Sequence, residues 1–114
     1  MGQDERRTIL PERAIMNHSV AEITTERASI YLQQLCKHFA HKLAVEFTPE
    51  QGTIPFSMGT CRLEAAGDRL TLKAEAETAD LLVQVEGVVE RHLVRFAFRD
   101  PPKIVWRTAD QAAN

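Results

Sequence analysis

Apolar residues recur at Ala28, Tyr31, Leu32, Leu35, Phe39 and Leu43, the three-and-four spacing of one buried helical face. Thr24 or Thr25 can cap such a helix, and Glu26 suits the positive end of its dipole. The pattern therefore predicts a first helix beginning at Thr24 or Thr25. Near Ala44 the period changes from 3.6 to 2. Val45 and Phe47 alternate with Glu46 and Thr48, and Pro49-Glu50-Gln51-Gly52 signals a turn. Ile54, Phe56 and Met58 alternate next, then Cys61, Leu63 and Ala65, then Leu70, Leu72, Ala74 and Ala76. Ala66-Gly67-Asp68 predicts a tight hairpin between the last two runs. Pro55 cannot donate to a ladder, so its strand has an unpaired side or an irregularity there. A second helix starts near Thr78, with Leu81, Leu82, Val85, Val88, Val89, Leu93 and Phe96 on its inward face. It unwinds near Ala97, because Phe96 and Phe98 cannot share one helix face and Pro101-Pro102 cannot continue a helix. Lys103 to Arg107 reads as a short last strand.

The order is α-β-β-β-β-α-β. The alternation gives the antiparallel meander sheet one apolar face and one wetter face. Two amphipathic helices packed on the apolar face make an α+β two-layer sandwich. The last strand is expected beside the first, Val45 to Thr48. Residues 1–20 read as a flexible N-terminal extension, residues 21–107 as a single domain and residues 108–114 as a flexible tail.

A chain of 114 residues fits one domain and buries enough surface to fold without a metal or disulfide staple. Its net charge of −2 argues against a general nucleic-acid binder, which needs a concentrated basic surface. No apolar run reaches membrane-spanning length or resembles a signal peptide. A soluble, cytoplasmic location is expected, with no nucleic-acid or membrane partner. The two cysteines, Cys36 and Cys61, lack zinc-ligand spacing and read as free thiols of a reducing compartment.

Chemistry concentrates in Cys36-Lys37-His38-Phe39-Ala40-His41-Lys42. At about 100° per residue, Leu35 centres the buried face, and His38 lies roughly 60° to one side, near Tyr31. His41 lies further toward solvent and Cys36 about 100° the other way. Cys36 and His38 cannot share a metal. His38 and His41 can point to a common place, but a stable zinc site takes three or four protein ligands. The plainer reading is a half-buried helix edge. On the second helix, His92 falls within about 20° of Val85, inside the apolar stripe. A buried imidazole needs a partner, and Tyr31 or His38 is within reach across the two helices. Tyr31, His38 and His92 are thus the candidates for a ligand pocket, and His38 with His41 for a metal. The plainer reading of His92 is a satisfied core histidine. No nucleophile elbow or Gly-rich phosphate loop is present, so no catalytic residue is assigned.

Tyr31 to Lys42, then Gly52-Thr53-Ile54-Pro55-Phe56, then His92-Leu93 and Arg95 to Arg99, resemble the small bacterial family called domain of unknown function 2218, over about residues 22–107. The resemblance implies a compact α+β domain of unassigned biochemistry, with members that accompany iron-siderophore uptake or reduction proteins. Its signature positions here are Tyr31, Leu35, Cys36, His38, His41, Pro55, Phe56, His92, Phe96 and Phe98, none with a known role. The expected function is non-enzymatic binding of a small molecule or protein by a monomer or homodimer, with no cofactor named. The alternative is metal or haem handling through His38, His41 and His92.

Overall fold

The computed structural model describes residues 16–97 and 101–108. Its elements are β1 (Asn17–Thr24), α1 (Ala28–Ala40), β2 (Glu46–Phe47), β3 (Gln51–Phe56), β4 (Gly59–Ala66), β5 (Arg69–Ala76), α2 (Ala79–Phe96) and β6 (Arg107–Thr108). They form a six-stranded open sheet of order β2-β3-β4-β5-β1-β6, with every neighbouring pair antiparallel. The α+β class and the α-β-β-β-β-α-β succession hold from α1 onward.

Alternation gives the sheet two unlike faces. Ala21, Ile23, Ile54, Cys61, Leu63, Leu70, Leu72 and Ala74 are buried on one. Leu32, Leu35 and Cys36 of α1 and Val85, Val89 and Leu93 of α2 join them in one core. Each large aliphatic side chain withdrawn from water in this way contributes roughly 1.5–3 kcal/mol. The other face carries the ion pairs Arg62–Glu75 at 3.1 Å, Lys73–Glu64 at 3.2 Å and Arg107–Glu22 at 3.9 Å. Such exposed pairs are worth about 0–1 kcal/mol each, so they mark the solvent face more than they hold it.

β1 corrects the sequence reading. Helix α1 begins at Ala28, after a strand that ends at Thr24 and pairs with β5 from Asn17↔Ala76 to Thr24↔Arg69. Residues 17–20, expected in a flexible extension, belong to this strand. The rest of the expected extension, residues 1–15, lies outside the described residues. The pattern of this strand is muted. Its inward positions are Ser19, Ala21 and Ile23, with one large apolar side chain among them, while Val20 points outward. Ser19 is buried because Glu86 of α2 satisfies it: Ser19 Oγ donates to Glu86 Oε2 at 2.6 Å.

The last strand is the second correction. β6 pairs with β1 through Ser19↔Thr108 and Val20↔Arg107, not with the strand at residues 45–48. Since β1 already occupies the side of β5 away from β4, the open edge there belongs to β1. Thr108, expected in the tail, is in β6. Residues 109–114 lie outside the described residues.

Local chemistry explains the remaining joints. Thr78 caps α2, its Oγ1 accepting from Leu81 N–H at 3.1 Å. Gly67, with φ 60°, supplies the positive φ that a type II′ hairpin asks of its first central residue. Ala65 N–H donates to Glu50 O at 2.9 Å. The alternation of an antiparallel pair then makes Pro55–Thr60 a non-hydrogen-bonded pair, so the nitrogen of Pro55 faces away from β4. β2 pairs only with Gly52 and Thr53, and no ladder donor is missed at Pro55.

Candidate functional site

The two helices meet along one line, and the candidate residues distribute along it. Toward the end of α1, His38 stands against α2. Its ring centroid lies 4.7 Å from that of His92 and 6.0 Å from that of Phe96. Phe39 lies 4.8 Å from His92 and 4.9 Å from Phe56 of β3. The expected approach of His92 to His38 is therefore found. His92 is half-buried, at the edge of the apolar stripe rather than in its middle. Its Nδ1 lies 2.7 Å from Val88 O. A carbonyl only accepts, so Nδ1 carries the hydrogen and donates it.

His38 is exposed, yet its pKa is lowered below the usual 6.5. Partial loss of hydration comes first as the cause, followed by the nearby His92, His41, Arg95 and Lys42. All four neighbours are basic, so the site disfavours added positive charge. His41 is exposed and lies near enough to act on His38 electrostatically. Among the described residues, no group of three or more His, Cys, Asp or Glu side chains is placed to hold a metal ion.

Tyr31 lies two turns earlier on α1 and opens on different surroundings. It lines a cleft of about 1060 Å³ with Thr24, Thr25, Glu26, Arg27, Asp68, Phe96, Ala97, Pro101, Pro102 and Lys103. Tyr31 is only 9% exposed, and its hydroxyl has no hydrogen-bond partner among the described residues. The Arg27 guanidinium carbon lies 5.7 Å from the Tyr31 ring centroid, in cation–π range. Phe96 belongs to both regions, lining the cleft and touching His38.

The cleft walls come from segments far apart in sequence. Thr25 N–H donates to Asp68 O at 2.7 Å, which brings the β4–β5 hairpin against the start of α1. Trp106 Nε1 donates to Glu90 Oε1 at 3.1 Å and, with β6, ties the Pro101–Lys103 wall to α2 and β1. Of the pocket candidates Tyr31, His38 and His92, only Tyr31 lines the cleft. Phe96 was expected as an inward residue of the second helix, and Glu26, Arg27, Asp68 and Lys103 were not expected as neighbours. Their meeting depends on β1, which runs antiparallel beside β5 and places Thr24 opposite Arg69. Without that strand, nothing in the sequence joins the hairpin to α1. Phe98 and Arg99 lie outside the described residues.

The cysteines belong to the interior. Cys36 and Cys61 are both fully buried. Burial pushes the Cys36 thiol up to about 11. It pushes Cys61 up to about 12, with Cys36 nearby adding to the effect. Such thiols are inert structural side chains. Cys36 packs over Gly52, where an added Cβ would stand 2.6 Å from its sulfur. The wheel placed Cys36 well off the centre of the α1 face, but a glycine opposite lets the helix approach closely and bury it.

No described helix is long and apolar enough to cross a membrane. No curated protein matches the chain. The NMR structure of PA4090 from Pseudomonas aeruginosa is similar, with 36% identity and a TM-score of 0.69, over 80% of this chain and 95% of that one. The family model described as "uncharacterized protein conserved in bacteria" matches residues 20–107. The helix pair, most of the sheet and both candidate regions fall within that match, and the chain belongs to the bacterial family called domain of unknown function 2218.

Proposed function

We propose that this chain is a non-enzymatic module that binds a small molecule in the Tyr31 cleft. The observation that carries this reading is Tyr31 itself. A side chain nine-tenths buried normally pairs its hydroxyl with a protein group, whereas this one faces open space. Concave sites with apolar walls and a few polar groups are the usual form of small-ligand pockets. Phe96, Ala97, Pro101 and Pro102 supply the apolar wall. Neither His38 nor His92 lines the cleft.

The competing reading, metal or haem handling, draws on the paired imidazoles His38 and His92 together with His41. It needs three donors converging on one point, and among the described residues no such group is placed to hold a metal ion; the surrounding Arg95 and Lys42 oppose a cation.

A thermal-shift screen of small molecules tests the proposal. Ligands of the native state raise the melting temperature by mass action. Hits should lose their effect in Tyr31→Phe and keep it in His38→Ala. Hits confined to Zn²⁺, Fe²⁺ or haem, and lost in His38→Ala, would overturn it.

A further inference from the structure

Resting on the reading of the cleft as a binding site, we infer that its ligand is a small zwitterion: a carboxylate and an ammonium on one apolar or aromatic body. Four charged side chains line the cleft, Arg27 and Lys103 of one sign and Glu26 and Asp68 of the other. All four are exposed. None makes an ion pair or side-chain hydrogen bond among the described residues, whereas Glu64, Lys73, Arg62 and Glu75 on the outer sheet face are paired. Opposite charges left apart around one concavity are complementary to a ligand that carries both.

The two ends of such a ligand find different partners. Arg27 lies over the Tyr31 ring at 5.7 Å, so a guanidinium and an unpaired phenolic O–H occupy one wall. The start of α1 adds to this. Its cap residue, Arg27, makes no side-chain cap hydrogen bond, and its first turn holds no acidic residue. The helix dipole at this end is thus not offset from within the first turn, and it favours an anion. A carboxylate suits this wall, with Lys103 facing it from the segment after α2. Glu26 and Asp68 receive the ammonium and reject dianions such as phosphate esters. Phe96, Ala97, Pro101 and Pro102 take the apolar body, and the face of Phe96 suits a ring.

Three probes with one phenyl body separate the charges: phenylalanine, 3-phenylpropionate and phenethylamine. Each is titrated into the full chain and followed by chemical-shift changes of the cleft amides. Phenylalanine should bind at least tenfold more tightly than either singly charged analogue. Arg27→Gln should erase its advantage over phenethylamine, and Asp68→Asn should reduce its advantage over 3-phenylpropionate. Raised salt should weaken phenylalanine most, since screening acts on both ends. Equal binding of all three, or tightest binding by a singly charged probe, overturns the zwitterion assignment while leaving the cleft a binding site. Failure of all three overturns the assignment as well. If the thermal-shift screen also yields no hit that depends on Tyr31, the cleft reading falls with it.

Discussion

The Tyr31 cleft and the His38–His92 cluster share one helix pair and one residue, Phe96, yet they differ in kind. The cluster gathers the groups that draw the eye in the sequence: two imidazoles with ring centroids 4.7 Å apart, Phe39 and Phe96 against them, and Phe56 packed on Phe39. Those groups are occupied with one another. His92 gives its Nδ1 hydrogen to its own helix, and the charged neighbours of His38 are all basic. The cleft is built from residues that look ordinary in the sequence, and its four charged side chains make no ion pair or side-chain hydrogen bond among the described residues. Unusual residue types here mark where the helices are fastened, while solvent-facing groups without a protein partner around open space mark where something else can bind.

Disrupting what both regions depend on should have the largest effect. Leu93 is fully buried between His92 and Phe96 along α2. Leu93→Ala should cost about 2–5 kcal/mol in chemical denaturation and disturb both regions together. Gly52→Ala comes next. The new Cβ meets the Cys36 sulfur at 2.6 Å and Phe47 Cβ at 3.2 Å, an overpacking worth about 1–3 kcal/mol. It should leave the amide spectrum of the cleft residues nearly unchanged. An equal disturbance of Thr24 to Arg27 would mean that the two ends of α1 do not respond separately.

Single-residue changes within each region sharpen the contrast. His38 has a pKa below its unfolded value near 6.5, so the unfolded chain holds more protons as the pH drops through that value. Stability from this residue is full above pH 6.5, falls as the pH goes below it, and levels off below the folded-state pKa. His38→Gln should flatten this part of the stability–pH curve. An unchanged curve would remove His38 from the account of the cluster. Tyr31→Phe should change stability by less than about 0.5 kcal/mol, because the hydroxyl has no partner to lose. A loss well above that would show the hydroxyl to be a structural bond. The smallest effect is on the thiols. Cys36 and Cys61 should resist a thiol reagent in the native protein at neutral pH and react on unfolding.

Much of the fold was legible because its main elements carry strong periodic signals. Both helices have wide apolar stripes, three of the strands alternate clearly, and Thr78 and Gly67 punctuate the chain where they should. β1 was not legible. Burying Ser19 against Glu86 and facing Val20 outward inverts the expected pattern at two of its positions, and only the β5 partner makes sense of it. The loss carried through to the site. Helix geometry put His92 within reach of Tyr31 or His38, and the contact made is with His38. The cleft needs β1 to bring Asp68 to Thr25, and Trp106–Glu90 to bring Lys103 round, so its charged rim was out of reach. Cys36 shows the same limit on a smaller scale: a helix wheel does not contain the glycine that faces it.

The most direct test of the cleft as the binding region is a chemical-shift map of the ¹⁵N-labelled chain titrated with the strongest hit from a small-molecule screen. The account predicts the largest changes at Thr24 to Tyr31, Asp68, Phe96 and Ala97, with those at His38, Phe39, Phe56 and His92 smaller. Changes centred on His38 and His92, with the residues around Tyr31 unmoved, would contradict it.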